Sequence, residues 1–167
     1  SYSVTGVQTC ALPIYALIRR SRPEALISFK QGANGNEDFA APEFHFRDLS
    51  EPCRKAGNER GAQLAEAAWA RNRTKHNEIC MTLQENGWGY TAASAHKSAD
   101  TLWANLAYAR AHNCNLLANT GPLGDGSIHP EDVATLREVG RRIRAHGLPA
   151  PAEAAVPTRG GAGAATV

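Results

Sequence analysis

The sequence predicts an α/β fold in which parallel strands are covered by helices. Three observations carry this. Short apolar runs, polar loops and amphipathic stretches follow one another in the order strand, loop, helix three times over. The strand segments are apolar nearly throughout, as expected where both faces are covered. Each long polar loop follows the C-terminal end of a strand, the face on which active sites gather in parallel barrels. A doubly wound sheet has the same local order, and periodicity does not separate the two.

The elements follow along the chain. YALIRRSRPEA closes a helix: Pro23 stops the pattern, and Arg19, Arg20 and Arg22 suit the negative end of the helix dipole. LISFK, Leu26–Lys30, is β-branched and aromatic and reads as a buried strand. QGANGNEDFAAPEFHF is rich in Gly, Asn and Pro and reads as a loop. Glu59–Arg71 reads as a helix with Leu64, Ala68 and Trp69 near one face. EICMTL, Glu78–Leu83, is the next strand, and QENGWGYTAASAHK the loop beyond it. Ser98 is a good N-cap, with Asp100 in the first turn and Leu102, Leu106 and Ala109 at helical spacing. CNLLAN, Cys114–Asn119, is the third strand, followed by the turn TGPLGDGSI. Pro130 opens a last helix, helped by Glu131 and Asp132 at the positive end of the dipole. Val133, Leu136, Gly140 and Ile143 mark its expected inner face, with Arg137, Arg141 and Arg144 in solvent, and Gly147 and Pro149 end it. Residues 149–167 are expected to form a disordered tail, since Pro151–Val167 is almost all Ala, Gly and Pro.

The charge balance is near neutral, 18 basic against 16 acidic residues, which does not point to nucleic acid or an anionic membrane. No apolar run approaches the roughly 18 residues that span a bilayer. Cys53, Cys80 and Cys114 are widely spaced and suggest neither a zinc site nor a disulfide framework; Cys80 and Cys114 lie in apolar runs and read as small hydrophobes. Asn72-Arg73-Thr74 fits a glycosylation triplet, but such triplets are common by chance. The six histidines have no metal-ligand spacing and receive no role.

The first fourteen residues stand apart. VTGVQTCALPI, Val4–Ile14, can be back-translated codon for codon into a string similar to a standard short-read sequencing adapter, and the frame continues into Tyr15. The start carries neither the positive charge nor the apolar length of a signal peptide. Residues 1–14 are therefore expected to be foreign to the fold and to pack poorly. The native protein is expected to begin upstream, with this chain its C-terminal part.

Several chemistries find no motif. GPLGDGS lacks the lysine and the spacing of a phosphate loop, and there is no GxSxG or HExxH. Two carboxylates stand out, Glu43 in the loop beyond the first strand segment and Glu78 at the start of the second. Taken singly, a loop Glu is most often a solvated charge; the plain role of Glu43 is an N-terminal charge for a following helix, and that of Glu78 an ion pair at a strand start. Carboxylates on a loop face with aromatic residues nearby suit sugar chemistry: a glycosidic oxygen needs a protonated carboxyl, and a ring such as Trp88 in GWGY gives an apolar wall.

Taken together, LIRRSRPEALISFKQGANGNEDFAAPEFHF, EICMTLQENGWGY and HKSADTLWANLAYARAHNCNLLANTGPLGDGSIHPEDVATLREVGRRIRAHG resemble the C-terminal half of the catalytic domain of α-L-fucosidases, glycoside hydrolase family 29. The ordered elements are Trp88-Gly89-Tyr90, Asn115–Pro122, Asp125–Ile128 and Leu136–Gly140, and the resemblance spans about Tyr15 to Gly147. Ala118 stands where the family usually has a third Leu, and Asn77 where it often has Trp. The resemblance implies a partial (β/α)₈ TIM barrel over residues 15–148 and a retaining, exo-acting hydrolase of terminal α-L-fucose, with no cofactor and no metal. Its substrate would be a fucosylated carbohydrate, with no nucleic acid or membrane as partner. Retention uses an Asp nucleophile and a Glu acid/base about 5–5.5 Å apart. The nucleophile is expected upstream of Glu43, where the adapter-like segment stands, so this chain alone is expected to be inactive. Glu43 is the favoured acid/base, Glu78 the alternative, and Trp88 the expected wall against the C5 methyl of fucose. The other implied reading is a catalytically inactive sugar-binding or scaffold protein on the same barrel.

Overall fold

The computed structural model describes the backbone of residues 4–153 and the side chains of residues 13–153. The elements run α1 (Val4–Ser21), α2 (Ser50–Lys55), α3 (Glu59–Asn72), β1 (Asn77–Thr82), α4 (Ala99–Ala111), β2 (Cys114–Asn119) and α5 (Pro130–His146). They form an α/β arrangement with a small two-stranded parallel sheet, β1 beside β2. By backbone proximity the chain divides into two units, Ser1–Ile79 and Cys80–Val167.

Local chemistry sets most element ends. The Asn58 side chain accepts from the Gly61 N–H at 2.8 Å and starts α3. Ser98 Oγ accepts from the Thr101 N–H at 3.2 Å and starts α4. Pro130 opens α5 behind His129, and Gly147 closes it at φ +77°, the left-handed geometry that suits glycine. Helix α1 ends at Ser21, before Pro23, with Arg19 and Arg20 in its last turn. It runs without a break through the end of the adapter-like segment, with Pro13 inside it. The expectation of poor packing there falls on side chains of residues 1–12, outside those described; Ile14 is exposed.

The first expected strand does not form. Leu26–Lys30 makes only one parallel bridge, Ser28 to Phe39. Its backbone groups pair with the segment that follows. The Ile27 N–H donates to the Asp38 carboxylate at 2.6 Å, the Asp38 N–H to Ile27 O at 2.8 Å, and the Ala41 N–H to Lys30 O at 2.5 Å. A β-rich run becomes a strand only where a neighbour offers a ladder; here the chain folds back and satisfies itself locally.

In the second unit Leu83, Leu102 and Val139 form the core, with Ala99, Trp103, Leu116, Ala118 and Ile143 against it. β2 alternates: Cys114, Leu116 and Ala118 point one way, while Asn115 and Leu117 lie outward, Leu117 46 % exposed. The expected apolar cover on both faces is therefore one-sided at β2. The inner face of α5 is also displaced from the one expected. Asp132, Thr135 and Val139 are buried, and Leu136 is exposed. Polar residues take the inside because each has a partner, Asp132 from His96 and Thr120 and Thr135 on the Lys97 carbonyl. The tail expected over residues 149–167 lies outside the described residues from residue 154 onward.

Candidate functional site

In the first unit the loop after Leu26–Lys30 is built around a carboxylate that the sequence reading did not single out. Glu37 is 1 % exposed. Its Oε1 accepts from the Tyr15 hydroxyl at 2.8 Å, the Ala33 N–H at 2.7 Å and the Asn34 N–H at 3.3 Å; its Oε2 accepts from the Gly35 N–H at 3.0 Å and Asn72 Nδ2 at 2.9 Å. Lys75 Nζ then holds Asn72 Oδ1 at 2.7 Å and the carbonyls of Gly35 and Glu37. Such a turn needs backbone close to its neighbours. At Gly32, φ +102°, a Cβ would sit 2.1 Å from Asn72 Nδ2. Burial pushes the Glu37 carboxyl up, but hydrogen bonds from Asn72, Ala33 and Tyr15 outweigh it and hold it below its ordinary value. Burial, reinforced by Glu37, pushes the Tyr15 phenol up. A carboxylate so enclosed and so held is a fixed anchor, not a proton carrier.

This anchored loop leads to Glu43. The Glu43 side chain is 38 % exposed, and its Oε1 lies 3.0 Å from Lys30 Nζ. Lys30 and Phe44, beside it, take left-handed backbone, φ +33° and +61°, a strain that collects at functional sites. Glu78 lies half-buried on β1, and its N–H donates to Ala40 O at 3.0 Å. Asn77, next to it, accepts the Ala40 N–H at 2.7 Å and donates to Asn72 O at 3.0 Å. The start of β1 thus holds the segment three residues before Glu43 through the main chain of Glu78 and the side chain of Asn77.

The second unit carries Trp88, 40 % exposed, on a loop cinched at its base. The Lys97 N–H donates to Leu83 O at 2.7 Å and the Glu85 N–H to Ala95 O at 3.0 Å. Inside the loop the Gln84 amide meets Thr91 twice: Nε2 donates to Thr91 O at 3.0 Å, and Oε1 accepts the Thr91 N–H at 3.2 Å. Ser94 Oγ accepts the Asn86 N–H at 2.9 Å. At the tip Asn119 Nδ2 donates to Trp88 O at 2.7 Å. Gly121 passes so close beneath that a Cβ would lie 2.2 Å from Tyr90 N.

Behind this loop lies a second group that sequence spacing missed. His96 Nδ1 and Asp132 Oδ1 are 2.7 Å apart with side chains 6 % and 1 % exposed, and Thr120 Oγ1 donates to Asp132 Oδ2 at 2.6 Å. The His129 ring stacks on His96 at 4.1 Å, and Tyr90 on His129 at 5.9 Å. The signal for it was a polar pair at core positions, visible only once the inner face of α5 is known. Asn72, the glycosylation triplet's asparagine, is fully buried on Glu37, which leaves no room for a glycan. Cys114 is buried and its thiol is pushed up by that burial to about 12, which makes it inert, while Cys80 is only half-buried.

Residues 45–148 match the family model described as alpha-L-fucosidase. Among solved structures, α-L-fucosidase isoenzyme 1 from Paenibacillus thiaminolyticus is similar at 27 % identity and a TM-score of 0.62, over 94 % of this chain and 37 % of that one. The α-fucosidase of Thermotoga maritima in complex with a mechanism-based inhibitor is similar at 20 % identity and a TM-score of 0.57, over 84 % of this chain and 27 % of that one; at that identity the likeness concerns the fold. The chain thus spans little more than a third of the first and about a quarter of the second. No curated protein matches the sequence.

Proposed function

The chain belongs to the α-L-fucosidase family, and we propose that it forms part of a retaining, exo-acting α-L-fucosidase on a (β/α)₈ barrel that removes terminal α-L-fucose from oligosaccharides or glycoconjugates. The observation that carries this reading is the family match over residues 45–148, which takes in Glu78 and the Trp88 loop. Glu43 lies two residues before it.

In this reading Glu43 is the acid/base. Its half-exposed carboxyl gives a proton to the departing oxygen, then takes one from the water that releases fucose. Lys30 Nζ, 3.0 Å away, offers a cation to the carboxylate left after the first transfer. Trp88 presents an exposed indole face, a wall suited to the apolar C5 methyl corner of a deoxysugar. Glu78, tied to Ala40 at the start of β1, supports the segment that carries Glu43. No residue of this chain is assigned as nucleophile.

The test uses the intact gene product that contains these residues. Glu43→Ala should lose far more activity on unactivated fucosides than on aryl fucosides with good leaving groups, which need little protonation. Added azide should restore turnover on the activated substrates, because an anion needs no general base. If Glu78→Ala shows both signatures and Glu43→Ala neither, the two roles are exchanged. If wild type turns over no fucoside yet binds one, the inactive sugar-binding alternative replaces the enzyme.

A further inference from the structure

We propose that Gln84 is a positioning residue for the Trp88 loop, holding the indole in place before sugar arrives; the proposal rests on the reading of Trp88 as a fucose wall. Gln84 is 1 % exposed, yet its amide serves the loop and not the core. Both of its bonds to Thr91 lie within the loop, seven residues on, and replace the backbone ladder that ends at Glu85 and Ala95. The core residues Leu83, Leu102 and Val139 take no part in them.

The direction of the amide is fixed from behind. Gln84 Nε2 lies 3.4 Å from His96 Nε2, which accepts when the imidazole proton sits on Nδ1. Nδ1 faces Asp132 Oδ1 at 2.7 Å, so the proton has an acceptor there. Asp132 is itself oriented by the Thr120 hydroxyl at 2.6 Å. In this chain of bonds the Gln84 amide points one way only. Reversed, it would set oxygen against Thr91 O and nitrogen against Thr91 N–H. His129, stacked on His96, and Tyr90, stacked on His129, tie the other side of the loop tip to the same group.

An exposed ring on a mobile loop binds a sugar weakly, because ordering the loop costs free energy at binding. With Gln84, Asn119 and the close passage of Gly121, that ordering is already present in the unliganded chain. Gln84 acts through Trp88 and touches no substrate.

The experiment uses the intact gene product that contains these residues, with ¹⁵N-labelled tryptophan, in which the indole N–H signals of Trp69, Trp88 and Trp103 are assigned one by one. Methyl α-L-fucoside is titrated in parallel. In Gln84→Ala the Trp88 signal should broaden or shift while those of Trp69 and Trp103 stay, and fucoside affinity should fall about tenfold. That loss should vanish in a Trp88→Ala background, since the two changes remove one interaction. Gln84→Glu keeps the acceptor for the Thr91 N–H and loses the donor, and should show the same changes in smaller measure. An unmoved Trp88 signal in Gln84→Ala, or affinity losses that simply add, would overturn the proposal. So would both variants disturbing all three indoles, which would make Gln84 a residue of the fold at large. If wild type binds no fucoside, the sugar-wall reading falls, and the indole comparison still decides the role of Gln84.

Discussion

Replacing Glu37 by Gln keeps the shape of the side chain and removes only its charge and one acceptor. The structure fixes what that costs. If the new amide nitrogen stands at Oε2, it faces the Gly35 N–H and Asn72 Nδ2, two donors. Asn72 cannot turn its oxygen inward, because Lys75 Nζ already holds that oxygen at 2.7 Å. If the nitrogen stands at Oε1, the Tyr15 hydroxyl can rotate to accept, but the Ala33 and Asn34 N–H groups lose their acceptor. Either orientation strands two donors. At about 1.5–3 kcal/mol for each hydrogen bond to a charged group, with some return from no longer burying a charge, the loss should be about 3 kcal/mol. With a urea slope near 2 kcal/mol/M, the unfolding midpoint of the chain should fall by about 1.5 M. The sign with pH also follows. The folded-state carboxyl lies below its ordinary value, so the unfolded state binds more protons between the two values. Its contribution is complete above the unfolded value and disappears as pH falls through the folded one. Wild type should therefore lose this increment in acid, and Glu37→Gln should not. A midpoint shift under about 0.3 M, or acid profiles that run parallel in the two proteins, would refute the reasoning.

Gly121→Ala should destabilise the second unit by about 1–3 kcal/mol, since its Cβ meets Tyr90 N, a backbone atom that cannot swing aside; thermal melts give the loss, and the Trp88 indole signal should move with it. Asp132→Ala leaves His96 and Thr120 without their shared acceptor in the core and should cost about 3–5 kcal/mol by chemical denaturation. Trp88→Ala should leave stability within about 0.5 kcal/mol, as expected for a half-exposed ring, while weakening methyl α-L-fucoside binding measurably, and by at least as much as Gln84→Ala does. Genomic DNA read upstream from Tyr15 should not encode VTGVQTCALPI; its reappearance would end the adapter reading.

Features that depend on near neighbours are written in the amino-acid order. The caps at Ser98 and Pro130, the stop before Pro23 and the turn at Gly147 act within a few residues, and all four stand where the pattern set them. The strands at Asn77–Thr82 and Cys114–Asn119 were legible because each apolar run lies between strong turn signals. The family, too, was legible, from several short motifs in order. Leu26–Lys30 was misread because strand character belongs to a pairing, and the partner it found was its own next segment. The inner face of α5 was misplaced in part: Ile143 meets the core as expected, but Asp132 and Thr135 are buried on their hydrogen-bond partners while Leu136 is exposed. Glu37 with Asn72, and His96 with Asp132, are joined across 35 and 36 residues of chain. A buried polar side chain is stable only when a distant one meets it, and periodicity along one segment holds no record of that meeting, which comes about as the chain folds.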